Sequence, residues 1–358
     1  MHLNLSINSY PNTFICDRKL ELESNYEEDI NLIFQFFETL PNLKSLKLLQ
    51  FDLLSRPTNI SQLIASLRHA PLLELVFDTG WPAIVEGPPT IGLSGLEKLS
   101  ITWNLDNQTG QPGSAHTHLY ELIRPSLETL VDLVIDNHLG TDFDLQLLKP
   151  AGNTLRSFEY FLASNDEGIL DIVPIIFPHL TSLSLRWDFT ATRHSILWKV
   201  CIWSMTYGSR SSTYEFLQDG HISALAKNQN LLDLTLSSDF EVESGDTIKR
   251  SHDDYPWYVR CYKRRLKVTQ EVVLACHKLQ RCSWIQLPNG RLSSLKHSFV
   301  VEERVSDGKK TRVVRGMKQD WMGRNHWNYG FIVKCKSEDL PGDIIGENDS
   351  LSDDDDEI

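Results

Sequence analysis

The apolar spacing Leu-x-x-Leu-x-Leu occurs eight times along this chain, and no other feature of the sequence restricts its fold as strongly. It is first complete at Leu43, Leu46 and Leu48, directly after Pro41-Asn42. It returns as Leu72, Leu75, Phe77; Leu96, Leu99, Ile101; Leu130, Leu133, Ile135; Leu155, Phe158, Tyr160; Leu180, Leu183, Leu185; Leu231, Leu234, Leu236; and Leu279, Cys282, Trp284. Side chains alternate along a strand, so positions four and six of this template share one face while positions three, five and seven share the other. Successive first leucines lie 29, 24, 34, 25, 25, 51 and 48 residues apart. The shorter steps leave room for a strand, a turn and a helical return, the unit of a stack whose neighbours bury one another's apolar faces.

The intervening segments carry the helical period that such a return needs. Residues 27–40 place Ile30, Ile33, Phe34, Phe37 and Leu40 on one stripe, with acidic residues in the first turn, and Pro41 stops the helix. Ile60, Leu63, Ile64 and Leu67 precede Leu72, and Leu119, Leu122 and Ile123 precede Leu130, with Asn59 or Ser61 and Ser114 as the expected N-caps. Shorter helices are predicted over 143–148, 167–177, 219–226 and 269–277. The period is that of leucine-rich repeats. The predicted fold class is therefore α/β, a leucine-rich-repeat solenoid over 1–285 with a curved parallel sheet and convex helices.

The two longest steps are each about twice the unit, so each holds either a degraded repeat or an insertion. Composition favours insertions, over about 188–226 and 240–268. Leu197, Val200 and Ile202 fit the template but follow Leu180 too closely for a full return, and 241–256 is polar with a Ser244-Gly245-Asp246 turn signal. Past Trp284 the pattern changes. Residues 294–305 and 311–315 read as two strands joined through Ser306-Asp307-Gly308-Lys309, a C-terminal β-hairpin cap over 286–336, with Trp321, Trp327, Tyr329 and Phe331 expected over the last repeat. At the other end Leu3, Leu5 and Ile7 alternate like a repeat strand with no helix before them, and 14–22 would add an irregular strand ending Leu20-Glu21-Leu22. An open solenoid end exposes apolar surface and a strand edge, so an upstream segment or a partner is expected there.

Charge argues against a general polyanion binder. The formal net charge is -13, but ten acidic residues and no Lys or Arg follow Lys336, leaving about -3 on 1–336. The stretch 337–358 is predicted to be a disordered acidic tail, in which Ser350 and Ser352 sit ahead of carboxylates as an acidophilic kinase would require. Six scattered cysteines without a Cys-x-x-Cys pair suggest reduced thiols, and no signal peptide or long apolar run is present. An intracellular protein, cytoplasmic or nuclear and without membrane association, is expected.

The irregular spacing and the final strand leading into a hairpin resemble the leucine-rich-repeat region of F-box-type proteins, of the kind abundant in fungi. The resemblance implies the substrate-recognition arm of a ubiquitin ligase, whose F-box helices bind a Skp1-type adaptor. No F-box-like segment is visible before Leu3, so a Skp1-type adaptor is implied only if an F-box lies upstream. Regular repeats also carry Asn three residues after the last template leucine. Here those positions are Phe51, Gly80, Asn104, His138, Ala163, Asp188, Asp239 and Leu287, so the turns need other hydrogen-bond partners and an uneven curvature is expected.

The predicted binding surface is the concave face at positions three, five and seven. Its candidate residues are Glu74, Asp78, Lys98, Asp132, Asp136, Glu159, Phe161, Arg186 and Asp233. Glu74, Asp78, Asp132, Asp136 and Glu159 form an acidic band beside Phe161, suited to a basic partner segment with an apolar anchor; an ordinary solvated sheet face accounts for the same residues. Trp103 and Trp187, at position eight, are expected to cover the core edge. A second surface is the basic run Lys249, Arg250, Lys263, Arg264, Arg265 and Lys267, whose two clusters are twelve residues apart as in a bipartite import signal and are interleaved with Tyr255, Trp257, Tyr258 and Tyr262. Val259, Tyr262, Leu266 and Val273 also fit one helix stripe, which would make the basic residues its solvated face and leaves nucleic acid an improbable partner. Nucleotide-binding, hydrolase and metalloprotease motifs are absent, and His116-Thr117-His118 would diverge on a helix, so neither an enzyme, a cofactor nor a metal is expected.

Overall fold

The computed structural model describes residues 19–23, 35–49, 57–78, 93–104, 120–138, 143–162, 169–187, 219–237, 255–286, 295–306 and 309–316. The architecture is α/β, in two compact units, Met1–Asp188 and Phe189–Ile358. Expectations for Leu3, Leu5, Ile7, the start of the 27–40 helix, Ser114, His116, His118, 197–202, the cap aromatics and the acidic tail lie outside the described residues, as do most of the eight positions after the strands.

In the first unit seven strands lie side by side in chain order, all parallel: β1 (Lys19–Glu23), β2 (Ser45–Leu49), β3 (Glu74–Asp78), β4 (Lys98–Asn104), β5 (Asp132–His138), β6 (Ser157–Leu162) and β7 (Ser182–Trp187). The arrangement is solenoid-like. Strands β2 to β7 all begin at template position three and pair third on third, through Ser45, Glu74, Lys98, Asp132, Ser157 and Ser182. A slip of one residue would turn the leucines of a strand to the opposite face, so burial of positions four and six locks this register. The template side chains of this unit are at most 3% exposed. β1 joins as a further rung, Lys19 pairing with Ser45 and Leu20 with Leu46.

Backbone hydrogen bonds fix the step from rung to rung just ahead of the strands. The carbonyl of Lys44 accepts from the N–H groups of both Leu73 (2.8 Å) and Glu74 (2.9 Å), and the carbonyls of Leu73, Glu97, Val131 and Arg156 repeat this two-donor pattern toward the next rung. Hydroxyls add to it where the turns are buried. Ser126 Oγ accepts from Leu96 N (3.0 Å) and donates to Leu93 O, while Thr129 Oγ1 donates to Leu96 O (2.8 Å). These bonds supply the turn partners at the strand entrances.

The returns are helical but uneven. Helix α1 (Pro57–Leu67) links β2 to β3 and buries Leu63, Ile64 and Leu67. It starts at Pro57, so Asn59 and Ser61 lie inside the helix rather than at its cap; proline's fixed φ and missing N–H suit the first helical position. A 3-10 turn, Arg124–Ser126, precedes β5, and a 3-10 helix, Leu145–Asn153, precedes β6. The latter opens on the Asp144 carboxylate, which accepts from Gln146 N (3.0 Å). Helix α2 (Ile169–Ile176) leads into β7, and Gly152 lies so close to the Ile176 carbonyl that a Cβ there would collide with it. Phe158, Tyr160 and Phe177 fill the space between, with Tyr160 Oη accepting from Phe143 N (2.7 Å).

The second unit holds helix α3 (Asp219–Ala226), β8 (Asp233–Ser237), helix α4 (Tyr255–Ala275), β9 (Arg281–Gln286), β10 (Leu295–Ser306) and β11 (Lys309–Gly316). β8 and β9 are parallel and again pair third on third, Asp233 with Arg281. Helix α4 begins well before the expected residue 269. Residues 255–268 are therefore helical and continuous with the stretch that leads into β9. Its buried stripe includes Leu266, Thr269, Val272 and Val273, with Trp284 Nε1 donating to Thr269 Oγ1 (2.8 Å).

The hairpin ends the parallel stack. β10 runs antiparallel to β9, and Val301 N donates to Gln280 O (2.9 Å), the carbonyl that the next rung would otherwise engage. β11 pairs with β10 out to Ser306 and Lys309, as the turn signal predicted. Arg312 on β11 closes the end of α4. Its Nη1 donates to Val273 O (2.7 Å) and Cys276 O (3.3 Å), and Nη2 donates to Leu279 O, so a cation meets the carbonyls that a helix leaves unpaired.

Two consequences can be measured. Replacing Leu133, fully buried with a rung on either side, by Ala should cost about 2–5 kcal/mol in urea unfolding. Ser100→Ala on the half-buried opposite face should stay within about 0.5 kcal/mol, and equal losses would contradict the inward placement of the leucines. The second concerns His297, buried on β10 opposite Trp284, whose imidazole is held well below its ordinary range first by burial and then by the Arg265 guanidinium. As pH falls through about 6.5 the unfolded chain takes up a proton that the folded chain refuses, so stability is present above that pH and lost below it, by up to about 1.4 kcal/mol per pH unit. His297→Gln should flatten the fall in urea midpoint between pH 7.5 and 5.5, and an unchanged slope would contradict this.

Candidate protein-binding face

The zero-stagger register converts three template positions into three rows on the sheet face turned away from the buried leucines. Across β2 to β7, position three carries Ser45, Glu74, Lys98, Asp132, Ser157 and Ser182, and position five carries Lys47, Val76, Ser100, Val134, Glu159 and Ser184. At position seven Asp136 is half-buried, Phe161 buried and Arg186 half-buried; the side chain of Asp78, at the end of β3, lies outside the described residues.

The rows bring three of the expected carboxylates together and separate a fourth. Glu159 pairs with Val134, which lies between Asp132 and Asp136 on the same face of β5, so these three carboxylates form a triangle across β5 and β6. Arg186 on β7 forms an ion pair with Glu159. Glu74 is not a neighbour of Asp132: Lys98 on β4 stands between them in the position-three row. Glu74 instead accepts from Ser45 Oγ (2.6 Å). The row therefore alternates in sign, and the described face of β2 to β7 sets Glu74, Asp132, Asp136 and Glu159 against Lys47, Lys98 and Arg186. Phe161 is 8% exposed, so it offers a partner little surface.

The remaining candidates fall in the second unit. Asp233 and Arg281 form a half-exposed ion pair at 3.6 Å, of a kind that contributes little to stability. Lys249 and Arg250 lie outside the described residues, as do the side chains of Trp103 and Trp187. On α4, Lys263 and Lys267 are exposed and Arg264 is half-buried, whereas Arg265 is only 2% exposed. Arg265 corrects the reading of the basic run as a wholly solvated face. It falls on the buried stripe, one residue before Leu266 and four before Thr269, a placement that a pattern counting only apolar residues does not see.

Chemically this face can present charge and hydrogen-bonding groups, and the two described thiols of the second unit are poor nucleophiles. Cys276 and Cys282 are buried and unbridged; burial pushes the Cys276 thiol up to about 11, with Arg312 opposing, and raises Cys282 further. Among the described residues no group of three or more His, Cys, Asp or Glu is placed to hold a metal ion, and no helix is long and apolar enough to cross a membrane. In comparison with known proteins, the chain matches no family model, no curated protein and no solved structure.

Proposed function

We propose that this chain is a leucine-rich-repeat module that binds another protein, with the curved face of β2 to β7 as its contact surface, and that it serves as the substrate-recognition region of an F-box-like ubiquitin-ligase component. The observation that carries the reading is the third-on-third register, which holds the polar rows on rigid strands with their backbone groups already paired. Such a surface loses little entropy when a partner docks. The Asp132, Asp136 and Glu159 triangle favours a basic partner segment, with Arg186 and Lys98 setting its register by repulsion. The role is one of binding rather than catalysis, and it needs no cofactor. A nuclear or RNA-associated role through residues 249–267 is less well supported, because Arg265 faces the core rather than a ligand.

The test is affinity purification of the full-length gene product beside its Asp132→Lys, Glu159→Lys variant. The reading expects a Skp1-type adaptor with both, provided an F-box is encoded upstream, and a protein partner retained at least tenfold better by the unaltered face. Recovery of RNA or import receptors alone, or a partner set indifferent to the two reversals, would overturn it.

A further inference from the structure

β11 is an edge strand whose outer backbone groups can be identified one by one. It pairs with β10 from Gly316 on Phe299 to Lys309 on Ser306 without a bulge, and among the described residues no strand pairs with its other side. Val301 N of β10 points to β9, where it donates to Gln280 O. The alternate residues Val300, Glu302, Arg304 and Ser306 therefore bond β11, through Arg315, Val313, Thr311 and Lys309. That leaves the N–H and C=O groups of Lys310, Arg312, Val314 and Gly316 pointing outward, a row able to receive one more strand. A proline, a bulge or a very short strand would blunt such an edge, and the eight residues of β11 have none of these. Buried Val313 and Val314, with the bonds from Arg312 to the end of α4, hold the strand in place.

What guards this edge is charge of a single sign. Lys309, Lys310, Arg312 and Arg315 lie on β11 with no Asp or Glu among them. β10 and β11 together carry six Lys or Arg against Glu302 and Glu303, in a chain whose formal charge is -13. Glu303 meets Lys310 at 3.8 Å and Glu302 meets Arg315 at 3.5 Å, pairs that leave the Lys310 and Arg315 side chains 77% and 57% exposed. A second copy of β11 would set cations against cations, which disfavours pairing between copies. We propose that the outer edge of β11 takes up an extended acidic segment of a partner protein as an added strand, bonded through Lys310, Arg312, Val314 and Gly316. Main-chain bonds would supply affinity, and carboxylates opposite Lys310 and Arg315 would supply selectivity. Those two cations are five residues apart and on opposite faces of β11, so the segment carries its carboxylates at the same spacing. The site lies in the second unit and does not involve the face of β2 to β7.

The experiment titrates the full-length chain against a fluorescein-labelled peptide of ten residues, alternating threonine and valine, with glutamates at its third and eighth positions. A second peptide has lysines there instead. By fluorescence anisotropy the glutamate peptide should bind at least tenfold more tightly than the lysine peptide, and Lys310→Glu with Arg315→Glu should reverse that order with far-ultraviolet circular dichroism retained. Hydrogen exchange on the unaltered chain supplies the backbone readout whether or not that variant folds. The amides of Lys310, Arg312, Val314 and Gly316 should slow several-fold when the glutamate peptide is added. No binding, equal binding of both peptides, or protection that maps away from β11 would overturn the proposal. So would outward amides that already exchange as slowly as those of Thr311 and Val313 without peptide, since the edge would then be filled by the chain itself, or by a second copy if the protection rises with protein concentration.

Discussion

Burial of two alternate side chains per strand is the constraint on which the rest depends. Leucine or its equivalent at positions four and six can face inward in only one register, and that register puts position three of each rung against position three of the next. The carbonyl at position two then accepts two N–H groups from the following rung, so apolar burial and backbone pairing select the same step. Connections of very different length and helicity are tolerated because none of them sets the step. An eleven-residue α-helix, a three-residue 3-10 turn and a nine-residue 3-10 helix all deliver the chain to an equivalent starting point.

The end of the stack follows from the same bonds. A parallel rung offers its position-two carbonyl to a successor, and an unanswered carbonyl would cost hydrogen-bonding free energy if buried. β10 answers it from the opposite chain direction through Val301 N, and β11 returns Arg312 to the last carbonyls around the end of α4. Termination is thus built from backbone donors and one guanidinium.

Much of the fold could be read from the chain because a repeat states the same physical requirement eight times. Every template triplet is buried, and the 219–226 helix and both hairpin strands lie where the periodicity placed them. The differences have two causes, local backbone chemistry in one place and packing in the other. Pro57 displaced Asn59 and Ser61 as the start of α1, and the basic run read as the solvated face of its helix although Arg265 is buried beside Leu266. The candidate face was legible residue by residue but not as a pattern. Listing position three by sequence puts Glu74 and Asp132 in one band, whereas the strand between them carries Lys98. Phe161 was legible as a position but not as a nearly covered side chain, since its burial depends on neighbours that the template does not describe.

The central claim is that the rungs pair position for position with the template leucines on one side. Paired cysteines joined by a short fluorogenic thiol cross-linker test it most directly, in full-length protein lacking other accessible thiols. Val134→Cys with Glu159→Cys, partners on neighbouring strands and on the same face, should cross-link rapidly. Val134→Cys with Phe158→Cys, one residue out of register and on opposite faces, should not. Equal reaction of both pairs, or reaction of the second alone, would contradict the account.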